Sequence, residues 1–251
     1  MVAEADREGG HEPPPAIPPR WIIIGGCSLA FGSAAVNAGF LISLGTSVSH
    51  LTGDLAKVAV ALLDGRREVS ATWIYLLTAA LTFVAGATGA GFFIHHPTLE
   101  VRRPYGRAVG VIGLLLLGAH FLLRDLPVAA VGLAGLGCGL QNALATHYRG
   151  LVLRTTHVTG LLTDLGTHLG MRLRGHAVPL WKIAIPGMLV LSFILGSGFG
   201  GMLVYLWQVP FLLCLAPLYL AGGVIWSIAK RYGPRQHAPA AGAIPPPTLD
   251  L

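Results

Sequence analysis

Two six-residue stretches carry most of the polar chemistry in this chain: His50-Leu51-Thr52-Gly53-Asp54-Leu55 and, farther along, His157-Val158-Thr159-Gly160-Leu161-Leu162. Each follows a hydroxyl residue, Ser49 or Thr156, and each opens a short apolar segment between longer ones. A hydroxyl ahead of a helix accepts from an otherwise unpaired backbone N–H and caps it. Gly53 and Gly160 leave the first turn open to a close-approaching backbone or ligand. Free N–H groups and the positive end of the helix dipole favour an anion there. His50 and His157 add donors that titrate near neutral pH and can carry protons. The candidate ligand-binding set is Asn37, Ser49, His50, Thr52, Gly53, Asp54, Gln141, Asn142, Thr156, His157, Thr159 and Gly160. The same groups could instead satisfy one another where two broken helices cross, with no ligand involved.

Asn37 and Asn142, with Gln141 beside the latter, lie in long apolar segments where an amide needs a partner on another helix or a ligand. Lys57 and Asp164 occupy equivalent places after the two stretches, with opposite charge. Charges at membrane depth usually pair or line water, so a Lys57–Asp164 pair is expected; the alternative is that each snorkels to the interface. His50 and Asp54, like His168 and Asp164, are spaced as on one helical face, which a metal could use. No third ligand stands at a convincing spacing, so no metal site and no cofactor is expected. Cys27, Cys138 and Cys214 are scattered through apolar sequence and read as small buried residues. No H-E-x-x-H, G-x-S-x-G or Walker A motif is present, so no enzymatic activity is expected and no catalytic residue is assigned.

The elements that must position these groups are membrane helices. Of 251 residues, 53% are hydrophobic and only 11% charged, against about 25% charged in soluble domains, and mean hydropathy is +0.67. The net charge of +6 is spread between apolar segments rather than gathered in a basic module, which excludes nucleic acid as the expected partner. The lipid bilayer is the partner instead, with a small-molecule or ion substrate and a second copy of the chain in a homo-oligomer as the further candidates.

Six long segments are expected at Trp21–Gly45, Ala71–His95, Gly106–Leu123, Pro127–His147, Leu180–Trp207 and Pro210–Ala229, with short ones at Val48–Leu63 and Thr155–Gly170. Residues 1–20, acidic and then Pro-rich, and residues 230–251 read as disordered tails; the first lacks a signal peptide's cleavage pattern. Residues 21–123 and 124–229 form two internal repeats. Gly32 and Asn37 match Gly137 and Asn142, and Phe83, Gly86, Ala90 and Gly91 match Phe193, Gly196, Gly200 and Gly201. Gly86 and Gly196 also begin small-xxx-small patterns of tight helix crossings. The fold class is all-α: a polytopic helical membrane protein of about six transmembrane helices plus two short ones.

A sixteen-residue helix spans about 24 Å, less than the ~30 Å hydrocarbon core. If the short segments fold back, six spans put every Arg and Lys on one side except Lys57, Arg66, Arg67 and Arg124. Eight spans divide the charges less cleanly, so six is favoured. Both arrangements leave the two termini in the cytoplasm. Three spans per half would invert the second repeat against the first, as in many transporters; four would leave them parallel.

Asn37-Ala38-Gly39-Phe40 followed by Ser49-His50-Leu51-Thr52-Gly53 resembles the first signature of the YoaK-like bacterial membrane proteins, a domain of unknown function. Gly139-Leu140-Gln141-Asn142-Ala143 followed by Arg154-Thr155-Thr156-His157-Val158-Thr159-Gly160 resembles the second. The resemblance covers roughly residues 21–229 and implies a multi-pass protein of the bacterial inner membrane with about six spans, and no particular activity. Asp54 stands where members more often carry Asn, and His157 where an apolar residue is commoner. The expected function is transport or channel-like passage of a small solute, with an anion and proton coupling as the favoured chemistry. A membrane-embedded enzyme using His and Asp, and a structural or sensory membrane component, are the alternatives.

Overall fold

The computed structural model describes residues 19–63, 69–93, 104–144, 147–148, 151–152 and 155–232. Among these described residues eight helices follow in order: α1 (Pro19–Leu44), α2 (Leu51–Leu63), α3 (Val69–Phe93), α4 (Tyr105–Leu122), α5 (Pro127–Leu144), α6 (Val158–Leu173), α7 (Trp181–Tyr205) and α8 (Phe211–Tyr232). Between α5 and α6 lies a minimal antiparallel pair, β1 (His147–Tyr148) and β2 (Leu151–Val152), with His147 opposite Val152. Six of the helices, all but α2 and α6, are long and apolar enough to cross a membrane. They are hydrophobic all round, as a helix must be when lipid faces one side and protein the other.

Helix ends follow local chemistry. Gly45, at φ +72°, terminates α1, and its N–H returns to the Leu41 carbonyl. Gly175, at φ +92°, terminates α6, with the His176 N–H reaching the Met171 carbonyl. Both use the left-handed conformation that glycine adopts without a Cβ penalty. Most segment ends move by one to three residues. α5 stops at Leu144 and His147 joins the β pair; α1 takes in Pro19 and Arg20; α8 continues through Lys230 to Tyr232. The rest of both expected tails lies outside the described residues.

The directions of the six long helices are fixed by which residues meet. Along α1 and α7, Gly26 lies against Leu189, Phe31 against Gly196 and Ala35 against Gly200, so the two run parallel. Along α3 and α5, Thr78 meets Gly132, Ala79 meets Gly135 and Phe83 meets Gly139, again parallel. The other crossings run in opposite senses. Gly32 meets Tyr219 and Gly39 meets Phe211 between α1 and α8; Gly118 meets Leu133 and Ile112 meets Gly137 between α4 and α5. Between α4 and α8, Gly106 meets Gly223 and Ser227, whereas Gly113 meets Ala216 and Leu220.

One arrangement satisfies all five crossings: α1, α4 and α7 point one way, and α3, α5 and α8 the other. Direction therefore alternates through the six long helices, and neither α2 nor α6 crosses. Had both crossed, α4 and α8 would be parallel, contrary to their contacts.

At three crossings, α1 with α7, α3 with α5 and α4 with α8, the backbones touch. A side chain at Gly86 would enter the space of the Leu136 carbonyl, and one at Gly196 that of the Phe31 carbonyl. The small-xxx-small reading of these positions thus corresponds to real close approach. The main core, including Phe40, Ile112, Leu116, Val131, Leu212 and Leu215, joins α1, α4, α5 and α8; a smaller cluster of Ala30, Leu161, Ile185 and Leu189 seats α6 against α1 and α7.

Candidate functional site

After Gly45 the chain turns back along α1 instead of leaving it. The Asn37 Oδ1, seven residues before the end of α1, accepts from the Val48 N–H (3.1 Å), the Ser49 N–H (3.2 Å) and the Ser49 hydroxyl (3.1 Å). At 1.5 Å per residue, α2 therefore starts about 10 Å inside the end of α1. The returning loop is then clamped by Asp54, one turn into α2 and 2% exposed. Its Oδ2 accepts from the Ser47 N–H (2.6 Å), the Ser47 hydroxyl (2.8 Å) and the Thr46 hydroxyl (3.1 Å). Lys57 Nζ donates to Oδ1 at 2.9 Å. Burial pushes the Asp54 carboxyl up, but the Ser47 N–H, the Lys57 ammonium and the Ser47 hydroxyl outweigh it and hold the carboxyl below its usual value.

A similar device precedes α6. Thr156 donates its hydroxyl to Asn142 Oδ1 at 2.9 Å, as Ser49 does to Asn37. Gln141 Nε2 donates to the Leu29 carbonyl of α1 (2.9 Å) and the Thr155 hydroxyl (3.0 Å), while Gln141 Oε1 accepts from the Tyr219 hydroxyl of α8 (2.7 Å). Leu161, the counterpart of Asp54, is 3% exposed and sits in the apolar cluster with Ile185 and Leu189. Both helices are thus anchored one turn in, one by a carboxylate and the other by an aliphatic side chain.

The two short-helix starts come together. Ser49 lies at the level of Asn37 and Thr155 near that of Leu29, both within the central part of α1. His50 stacks at 5.2 Å between ring centroids on Phe193 of α7. It is close enough to His157 for the two to interact electrostatically: burial lowers the His50 pKa, Asp54 opposes that, and His157 lowers it further. The His157 ring lies back over the first turn of α6, in the space a side chain at Gly160 would take. Thr52 and Thr159 lie on exposed faces of the first turns, and Gly53 has open space around it.

Two expectations are corrected. Ser49 and Thr156 do not serve as hydroxyl caps: both donate to the Asn amides, and the residue at the N-cap of α6 is His157, with no side-chain capping bond. Lys57 pairs with Asp54 on its own helix rather than with Asp164. α2 and α6 begin close together and run toward opposite ends of the bundle, so equivalent residues farther along them diverge. Asp164 instead offers its backbone carbonyl to His168 Nδ1 at 2.7 Å. Among the described residues no group of three or more His, Cys, Asp or Glu could hold a metal ion. Thr46, Ser47, Thr155, Phe193 and Tyr219 join the site although none stood among the candidate ligand-binding residues. Thr46 and Ser47 could have been found as part of the polar run ending at His50, but nothing marks Tyr219 within apolar α8.

Six apolar helices of alternating direction, with two half-length helices starting near the middle, define a polytopic, all-α membrane protein. Residues 25–226 match the family described as protein of unknown function (DUF1275), and the chain belongs to that family, consistent with the YoaK-like resemblance. No curated protein and no solved structure matches it.

Proposed function

We propose that this protein moves a small solute across the bacterial inner membrane, with both termini in the cytoplasm, and that its halves are inverted repeats. The observation that carries this reading is the meeting of the α2 and α6 starts, each with a His and a Gly, midway along a bundle of alternating helices. Half-length helices whose N-termini converge at mid-depth offer unpaired N–H groups and positive dipole ends to an anion. Non-helical backbone at that depth is tolerated where protein buries it or water reaches it. Here Thr46, Ser47, Val48, Thr155 and Thr156 are buried within the bundle. His50 and His157 supply donors beside the helix starts and a means of carrying a proton with the solute.

The inverted arrangement is supported by paired crossings. Gly86 on Leu136 has its counterpart in Gly196 on Phe31, and Asn37–Ser49 in Asn142–Thr156. It also agrees with loop charge, since α1 and α8 then bring Arg20, Lys230 and Arg231 to one face.

The test is flux in proteoliposomes with chloride, phosphate and acetate as probes. At least one should move faster than in empty vesicles, and replacing both His50 and His157 with Ala should return it to the empty-vesicle rate. Flux that survives the double replacement, in protein of unchanged thermal stability, would sink the assignment of this site.

A further inference from the structure

The two histidines are not in the same state, and the difference is informative. His157 is folded back over Gly160, whose missing side chain makes room for the imidazole. His50 is turned away from Gly53, which has nothing within 4 Å of where a side chain would begin, and lies on Phe193. Each half nevertheless contains both parts. Gly53 corresponds to Gly160, and Phe83 of α3 corresponds to Phe193 of α7. The Phe83 backbone lies against Gly139, one turn before Asn142, which holds Thr156 next to His157.

We infer that Gly53 and Gly160 are alternative seats for the histidine ahead of them, and that the site works by exchanging which one is filled. In the arrangement seen, His157 is seated and His50 lies on Phe193. In the other, His50 is seated on Gly53 and His157 lies on Phe83. This deepens the transport reading and rests on its inverted repeat, because two inverted halves can trade conformations and so present one site to each face in turn. It also gives Gly53 a purpose that the present arrangement does not: its open first turn is a seat awaiting a ring. The exchange requires only side-chain rotation and small shifts of two helix starts. Its direction is set by whatever favours one seat over the other.

The two glycines give opposite expectations. Gly53→Ala meets no atom in the arrangement seen but removes the seat needed for the other, so it holds the protein as observed. Gly160→Ala fills the space under His157, evicts the ring and drives the exchange.

The experiment uses full-length protein in lipid nanodiscs with 4-fluorophenylalanine at position 83 or 193, read by fluorine NMR. Fluorophenylalanine at 193 should give one resonance for the imidazole-stacked ring in Gly53→Ala protein and lose it in Gly160→Ala. At position 83 the stacked resonance should be absent in Gly53→Ala and appear in Gly160→Ala. Should Gly160→Ala fail to fold, the readout becomes Gly53→Ala and His50→Ala in the fluoro-193 protein: the first should retain the stacked resonance alone, the second abolish it. Fluoro-83 spectra that do not change with Gly160→Ala, or a fluoro-193 resonance that Gly53→Ala displaces, would overturn the exchange. None of these spectra requires flux, so lost transport with intact exchange condemns the functional reading alone, and preserved transport without exchange condemns only this inference.

Discussion

Replacing Asp54 with Ala should destabilise the protein by about 3–5 kcal/mol, because it strands several buried donors at once. The carboxylate fastens the returning loop through the Ser47 N–H, the Ser47 hydroxyl and the Thr46 hydroxyl, and Thr46 is fully buried. Each donor left without a partner costs about 1–3 kcal/mol, and the space left by the side chain cannot replace them all. The Lys57 contribution is smaller, since its side chain is 55% exposed and such pairs are worth about 0–1 kcal/mol. Asp54→Asn should be milder, keeping an acceptor but losing the charge. Reversible unfolding in detergent, followed by helical signal, measures the difference; an Ala variant within about 1 kcal/mol of the parent would show that the loop holds without its clamp.

The same carboxylate gives an acid arm. Its folded pKa lies below the ordinary value, so the folded state binds fewer protons than the unfolded one near that range. Its contribution is present above about pH 4 and is lost as pH falls through the lowered value. Asp54→Asn should remove this part of the acid sensitivity.

The second large effect is expected at the α1–α7 crossing. A Cβ at Gly196 would enter the space of the Phe31 carbonyl, and backbone cannot move aside as a flexible side chain can. Gly196→Ala must therefore separate two helices that also meet at Gly26–Leu189 and Ala35–Gly200, at a cost near or above about 3 kcal/mol. Gly86→Ala should behave alike against Leu136. Gly198→Ala and Gly89→Ala meet nothing within 4 Å, and should be neutral or stabilising by up to about 1 kcal/mol, because alanine favours helix over glycine. Melting temperatures of the four variants check this; equal losses in both pairs would mean that the crossings are not the close contacts described.

Much of the fold could be read because hydropathy marks membrane helices strongly. All eight segments were found, with ends displaced by a few residues where glycine termination or the β pair intervened. Asn37 and Asn142 stood out as amides in apolar surroundings, and both anchor a returning loop. Direction was harder. Sequence equivalence of Lys57 and Asp164 says nothing about whether their helices converge or diverge, and the expected pair fails for that reason. The hydroxyl caps fail because α2 and α6 begin two residues after Ser49 and Thr156, whose hydroxyls donate back to Asn37 and Asn142 across more than a helical turn. Tyr219 reaches Gln141 across 78 residues, a proximity set by packing of α8 that no local pattern encodes.

The central claim is that α2 and α6 do not cross but run from the middle of the bundle to opposite faces. Leu63 and Leu173, at their ends, are 90% and 80% exposed and suit cysteine reporters. In protein whose Cys27, Cys138 and Cys214 are replaced by Ala, Leu63→Cys and Leu173→Cys should react with a membrane-impermeant thiol reagent from opposite sides of sealed vesicles. Reaction of both from the same side would require eight spans and contradict the inverted, half-length-helix architecture on which the proposed site depends.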